Sequence, residues 1–209
     1  MTKILGQSTC PAVLTVAILA VSLAGRAPAF AAEPLTEEQI VKALTPAKAR
    51  SLTVTHADTA GAADKKLLDA VRNRPAHSLT ADEREQIALV AAAKPSIDID
   101  INFDFRSARI GGSAASAVNT LGKALSSPGL KGTTFVLAGH TDGKGGLAYN
   151  QELSEKRVDT VKRYLVSRFK LSAANLVAVG YGKTRLKNDR DPFSSENRRV
   201  QIVNMAANN

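Results

Sequence analysis

Residues 133–169 read TTFVLAGHTDGKGGLAYNQELSEKRVDTVKRYLVSRF. Their first part, residues 133–138, is a short β-rich run that stops at Gly139. From about residue 148 to residue 169, apolar side chains recur at helical spacing, and a glycine-rich turn over residues 143–146 separates the two parts. The stretch therefore predicts a strand, a turn and a long amphipathic helix.

Polar side chains interrupt the apolar side of this helix near its N-terminal end. At about 100° per residue, Asn150, Ser154 and Arg157 fall within the apolar arc. Burying an unpaired amide or guanidinium group costs free energy, so these residues indicate either a structural hydrogen-bond network or the wall of a ligand pocket. Asp142 follows the strand in the turn. Asp142 and Arg157 together could bind a zwitterion, with the carboxylate taking an ammonium and the guanidinium taking a carboxylate.

Two simpler interpretations of this pair stay open. Asp142 could serve only to cap the turn. Arg157 could lay its aliphatic stem on the apolar face of the helix and hold its guanidinium in water. Under either interpretation the pair would be structural and would not form a ligand site.

Further elements flank this stretch on both sides. Apolar and polar residues alternate over residues 97–105, which predicts a half-buried strand. Helical spacing follows over residues 114–125. A strand is predicted at residues 176–179, where Gly180 is expected to stop it, and another at residues 199–203. Residues 96–209 are therefore expected to form an α+β two-layer sandwich, a mixed four-stranded sheet with helices on one face.

Residues 33–95 are expected to be a helical and linker region. Thr36 and Thr80 each begin a capping-box pattern, which predicts two helix starts. Residues 46–64, between them, show no clear periodicity and predict a mobile stretch. The region is a candidate link between the C-terminal domain and an outer- or inner-membrane protein.

Residues 1–32 have the pattern of a secretory signal. A lysine near the start precedes an apolar stretch over residues 12–25, which is too short for an ordinary membrane-spanning helix. Small residues follow, and cleavage is expected after Ala31 or Ala32. An uncleaved anchor is the alternative. The pattern predicts export to the periplasm or cell envelope.

Composition narrows the class of function. The net charge of +9 favours anionic surfaces, but export and the lack of a basic run argue against a nucleic-acid partner. Cys10, the one cysteine, lies in the expected signal, so we expect neither a disulfide nor lipid attachment. The three histidines show no metal-binding spacing and no serine lies in a nucleophile elbow, so we expect no metal, no cofactor and no enzyme. A sugar-cleaving pair of carboxylates stays open.

The chain closely resembles the OmpA-like family of peptidoglycan-binding domains over residues 97–203. The matching positions are Asn102, Phe103, Asp104 and Phe105 in the opening strand, with Ser107 and Ala108; Gly139, His140, Thr141, Asp142 and Gly145 in the turn; Asn150, Leu153, Ser154 and Arg157 on the helix; and Gly180, Tyr181, Gly182, Glu196, Asn197, Arg198, Arg199 and Val200 near the end. The sequence departs from the family at Arg106, where asparagine is usual, and at Val158, where alanine is usual.

The resemblance implies a binding site for the diaminopimelate of the peptidoglycan peptide stem. By position, Asp142 and Arg157 would hold this residue, with Asn150 beside them. Asp104, and either Arg198 or Arg199, correspond more loosely to other ligand-binding positions of the family. The expected function is thus a non-catalytic envelope protein that binds peptidoglycan. Two rivals are an OmpA-like protein–protein adaptor that does not bind the wall and a wall hydrolase.

Overall fold

A computed structural model describes residues 35–46, 57–101, 103–104 and 106–206 of the chain. The expected signal over residues 1–32, with Cys10, lies outside the described residues. All described residues fall within one unit, Pro34–Asn209. Among them, no helix is both long and apolar enough to cross a membrane.

A mixed four-stranded sheet forms the centre of this unit. Its strands are β1 (Ser96–Ile99), β2 (Phe135–His140), β3 (Leu176–Gly182) and β4 (Val200–Asn204). Their order across the sheet is β1-β4-β2-β3, with β2 and β3 parallel and the other neighbours antiparallel. The helices are α1 (Glu37–Leu44), α2 (Ala57–Val71), α3 (Ala81–Ala91), α4 (Gly112–Leu125) and α5 (Leu147–Phe169). Short 3₁₀ turns lie at Ala76–Ser78, Ala173–Asn175 and Ser195–Asn197. The predicted α+β fold with a mixed four-stranded sheet is confirmed.

The two faces of the sheet carry separate apolar clusters. Phe135 and Leu137 of β2 pack in one cluster with α1, α4 and α5, whereas Val136 and Ala138 pack in the other with α2 and α3. This follows from the alternation of side chains along a strand. Helices on one face were predicted, and this holds for α4 and α5. Helices α2 and α3 cover the opposite face, because the valines of that face also have to be buried against apolar side chains.

The described helices before β1, namely α1, α2 and α3, pack on the sheet. Both predicted capping boxes are present, at Thr36 and Thr80. Asn204 Nδ2 donates a hydrogen bond of 2.8 Å to the Leu44 carbonyl oxygen, which ties the end of α1 to the end of β4. Helix α2 begins inside the stretch that showed no periodicity; residues 47–56 lie outside the described part.

The first strand is shorter than the alternation predicted. Ile99 pairs with Val200, the first residue of β4, so β1 loses its partner strand beyond this point. Ile101 is nevertheless buried and Phe103 is partly buried against the same cluster. The alternation continued past the strand because an irregular segment also buries its apolar residues.

Gly180 does not end β3, although the sequence predicted a stop there. A Cβ atom at this position would lie 2.6 Å from Ser154 Oγ and 2.7 Å from the backbone nitrogen of Glu155. Only a glycine lets α5 approach β3 this closely. The glycine therefore marks close helix–strand packing, which holds the N-terminal half of α5 against the sheet.

Candidate functional site

A cavity of about 570 Å³ opens at the end of β2, beside the N-terminal half of α5. The turn after β2, the segment after β1 and Arg198 meet at this cavity. The described residues that line it are Phe103, Arg106, Thr141, Asp142, Lys144, Gly145, Gly146, Tyr149, Asn150, Leu153, Arg157 and Arg198. Four of the six site residues predicted from sequence are therefore brought together: Asp142, Asn150, Arg157 and Arg198.

Asp142 lines this cavity, and two donors hold its carboxylate. The backbone N–H of Lys144 donates to Oδ1 over 3.1 Å, and Arg198 Nη1 donates to Oδ2 over 3.0 Å. The carboxylate side chain is 13% exposed and that of Arg198 is 43% exposed. In this structure the ion-pair partner of Asp142 is Arg198, and Arg157 makes other contacts.

Arg157 also lines the cavity and is buried. Its Nε donates a 3.0 Å hydrogen bond to the Ser107 carbonyl oxygen, and its guanidinium carbon lies 4.9 Å from the centre of the Phe103 ring. The residue is only 9% exposed, and this burial lowers the pKa of its guanidinium from the ordinary value. The interpretation that placed the guanidinium in water is wrong, because the head packs between the helix and the segment after β1.

Asn150 and Ser154 organise the turn and the helix. Asn150 Nδ2 donates to the carbonyl oxygens of Lys144, over 2.6 Å, and of Gly146, over 3.1 Å. Ser154 Oγ donates to the Gln151 carbonyl and accepts from the Gly182 N–H over 2.9 Å. Both side chains form the structural hydrogen-bond network that the sequence left as one of two options, and Asn150 also lines the cavity.

The other two predicted site residues lie elsewhere. Asp104 is exposed and does not line the cavity. Arg199 is buried, and its Nε donates to Asp98 Oδ1 over 3.2 Å. Asp98 alternates with Ile97 and Ile99, which pack with α4 and α5, so it faces the side of the sheet that α2 and α3 cover. Of the two candidate arginines, Arg198 thus belongs to the cavity.

Sequence reasoning missed Lys144 and Tyr149 as lining residues. The guanidinium carbon of Arg106 lies 5.7 Å from the centre of the Tyr149 ring. Tyr149 stands four residues before Leu153, one helical turn away, and this spacing could have placed both on the same helix face. Lys144 gives no comparable signal, because a lysine in a glycine-rich turn is usually a solvated residue.

His140 is a core residue on the far face of the sheet. It is 4% exposed, and its ring stacks on Tyr181 with 5.5 Å between centres. Burial, followed by the nearby charge of Arg199, lowers the pKa of His140 to about 3, while Asp98 acts in the opposite direction. The folded protein therefore holds this imidazole neutral.

This depressed pKa predicts a loss of stability in mild acid. The unfolded chain binds a proton at His140 below about pH 6.5, whereas the folded chain does so only near pH 3. The contribution of His140 to the free energy of unfolding is therefore constant well above pH 6.5 and falls as the pH drops below it. We expect wild type to lose about 2 kcal/mol more than His140→Gln between pH 7 and pH 5. Urea unfolding of both proteins at the two pH values measures this. An equal loss in both would contradict the prediction.

Among the described residues, no three His, Cys, Asp or Glu side chains are placed to hold a metal ion together. The cavity's chemistry, in the part of the chain that the structure describes, is that of one carboxylate, several cations and two aromatic rings. Such a set can bind a charged ligand by ion pairs and hydrogen bonds.

The comparisons with known proteins converge on this part of the chain. Residues 102–199 match the OmpA family model. Outer membrane porin F of Pseudomonas aeruginosa is 31% identical over 107 residues, which make up 50% of this chain and 30% of the porin. The peptidoglycan-associated lipoprotein of the same species is 37% identical over 102 residues, 48% of this chain and 58% of the lipoprotein. This chain thus spans less than two thirds of the length of either relative.

Among solved structures, the peptidoglycan-associated lipoprotein from Burkholderia pseudomallei is 26% identical, with a TM-score of 0.41. The match covers 55% of this chain and 92% of that chain.

Proposed function

Since residues 102–199 form an OmpA-family domain, we propose that this chain is a non-catalytic envelope protein that binds peptidoglycan through the diaminopimelate of the peptide stem. The observation that carries the proposal is the cavity itself, where the carboxylate of Asp142 and the buried guanidinium of Arg157 line the same space of about 570 Å³. One curated relative is named a peptidoglycan-associated lipoprotein, which supports peptidoglycan as the partner.

The two charged residues match the two charges at the free end of diaminopimelate. Its ammonium would pair with Asp142 and its carboxylate with Arg157, whose Nε already donates to Ser107 and so fixes the guanidinium. Arg198 pairs with Asp142 in this structure, but its side chain is 43% exposed and can turn into solvent, whereas that of Asp142 is 13% exposed. A ligand ammonium can therefore replace Arg198, which is then available for a carboxylate.

The rest of the chain fits an envelope role without a catalytic step. We propose a periplasmic location from the signal pattern of residues 1–32. A membrane protein is a candidate partner for the region before β1, whose helix α3 exposes Leu89.

Replacing Asp142 by asparagine tests the proposal, because it removes the charge that would meet the ammonium and keeps the shape of the side chain. We expect the variant to bind purified wall containing diaminopimelate about tenfold more weakly than wild type, as for the loss of a charge-assisted hydrogen bond. Co-sedimentation across a wall titration measures the affinity. Wall with lysine in place of diaminopimelate lacks the zwitterion and is the matched control.

The outcomes separate this function from its rivals. Wild type that binds neither wall supports the adaptor, for which a partner protein should co-purify. Equal binding to both walls by wild type and variant would point to a general attraction of the basic surface. Release of soluble wall fragments would favour the hydrolase.

A further inference from the structure

We infer that the cavity selects ligands that carry a second carboxylate, in addition to the carboxylate of the zwitterion. Arg106 is the residue that recognises this second carboxylate. This inference rests on the proposed function, because it specifies which peptide stems the same cavity accepts. The class of ligand is a stem peptide of net negative charge. A stem in which the second carboxylate is amidated would be disfavoured.

The charges around the cavity are unbalanced. Four cationic side chains line it, Arg106, Lys144, Arg157 and Arg198, against the single carboxylate of Asp142 among the described lining residues. A zwitterion adds one charge of each sign and leaves this excess unchanged. The cations repel one another more strongly in the pocket than in bulk water, because the pocket screens their charges less. A further carboxylate on the ligand reduces this repulsion.

The four cations differ in whether they already have a partner in the protein. Arg157 is buried and fixed by Ser107, and Arg198 is paired with Asp142. Arg106 and Lys144 form no ion pair with any carboxylate of the described residues. Both are therefore available to a ligand, and Arg106 can present two N–H groups to one carboxylate.

The backbone of Arg106 has an unusual conformation. Its φ angle is +55°, a left-handed conformation that glycine and asparagine adopt more readily than arginine. The guanidinium carbon is 5.7 Å from the centre of the Tyr149 ring, so the aromatic face holds the cation at the cavity mouth. A strained residue whose side chain is positioned in this way indicates a functional use of the side chain.

The peptide stem supplies a suitable second carboxylate. Its diaminopimelate follows a γ-linked glutamate, whose α-carboxylate is free and becomes neutral when amidated. The two forms differ by one charge and almost no volume. This difference makes the glutamate carboxylate and its amide a matched pair of ligands for the test.

The experiment compares two synthetic stems, N-acetyl-L-alanyl-γ-D-glutamyl-meso-diaminopimelyl-D-alanine amide and its isoglutamine analogue. Isothermal titration calorimetry at low salt measures both affinities for wild type. We expect the free carboxylate form to bind about fivefold more tightly, the upper range for an exposed ion pair. This preference should shrink as salt is added, because exposed charges are screened.

Arg106→Asn should abolish the preference, so that the ratio of the two affinities falls to about one, whatever loss of affinity the missing cation causes for both stems. Asparagine tolerates the left-handed backbone, so the variant should fold and be at least as stable as wild type. Arg109→Asn is the matched control, because Arg109 is an exposed arginine of the same segment that does not line the cavity. The control should keep the full preference.

The outcomes distinguish this inference from the function on which it rests. If wild type binds both stems equally, selection by the second carboxylate is wrong and the wall-binding function stands. If Arg106→Asn keeps the preference, another cation recognises the carboxylate and the role given to Arg106 is wrong. If wild type binds neither stem, both the function and the inference fall.

Discussion

Ile87→Ala is expected to lower the free energy of unfolding by about 3 kcal/mol, within the usual range for removing a buried isoleucine side chain. Ile87 lies on α3 and is fully buried against the face of the sheet opposite α4 and α5. The Tyr181 hydroxyl also donates a 3.0 Å hydrogen bond to the Arg84 carbonyl, which fixes the same helix on β3. The substitution would leave a cavity between α3 and the sheet.

Leu89→Ala is the matched control, because Leu89 lies on the same helix and is 67% exposed. This variant should stay within about 0.5 kcal/mol of wild type. Urea unfolding followed by far-UV circular dichroism gives both values. Equal small effects in the two variants would mean that α3 contributes little to the core and that the region before β1 behaves as a linker after all.

Arg157→Met is expected to reduce affinity for wall containing diaminopimelate by about a hundredfold, since a lost hydrogen bond to a charged group costs roughly 1.5–3 kcal/mol. Methionine replaces the aliphatic stem and can still pack against Phe103. The stability of the fold should stay within about 1 kcal/mol of wild type, because the variant also removes the cost of desolvating a buried charge.

Arg157→Lys separates charge from geometry in the same assay. Lysine keeps the positive charge but cannot present a planar pair of donors, so its affinity should fall between those of wild type and the methionine variant. Co-sedimentation and thermal unfolding should be measured on the same preparations. Wall binding by Arg157→Met at wild-type strength would remove Arg157 from the site, and a large loss of stability would make it a structural residue.

Periodicity predicted β1, α4 and α5, because each of these elements buries one side of a regular pattern. Strands β2 and β3 are buried at every position, and they were predicted from short β-rich runs. The placement of α2 and α3 could not be predicted in this way. Their apolar residues indicate that they pack on something, but the surface that they cover depends on which sheet face is left open. Local pattern also misjudged Gly180 as a stop, since close approach of α5 to β3 is a tertiary feature.

For the candidate site, the turn and the helix spacing brought Asp142, Asn150 and Arg157 to one place, and the structure lines one cavity with all three. The pairing of Asp142 with Arg198 could not be predicted from local pattern. Arg198 comes close to Asp142 only because β4, which begins at Val200, pairs with β2 in the folded sheet. The placement of Asp104 outside the cavity has a similar cause. The chain leaves β1 before that residue, and so its side chain is not directed by the pleat of the sheet.

The position of β4 determines how this domain can acquire its structure. It is the last described strand in the sequence, yet it lies inside the sheet, between β1 and β2. Until residues 200–204 are present, β1 has no neighbour and β2 has only β3. Contacts that join such distant parts of a chain form slowly and late, because the intervening segment loses much freedom when its ends meet. The sheet therefore cannot be completed until residues 200–204 pair with both β1 and β2, and we expect its formation to be cooperative.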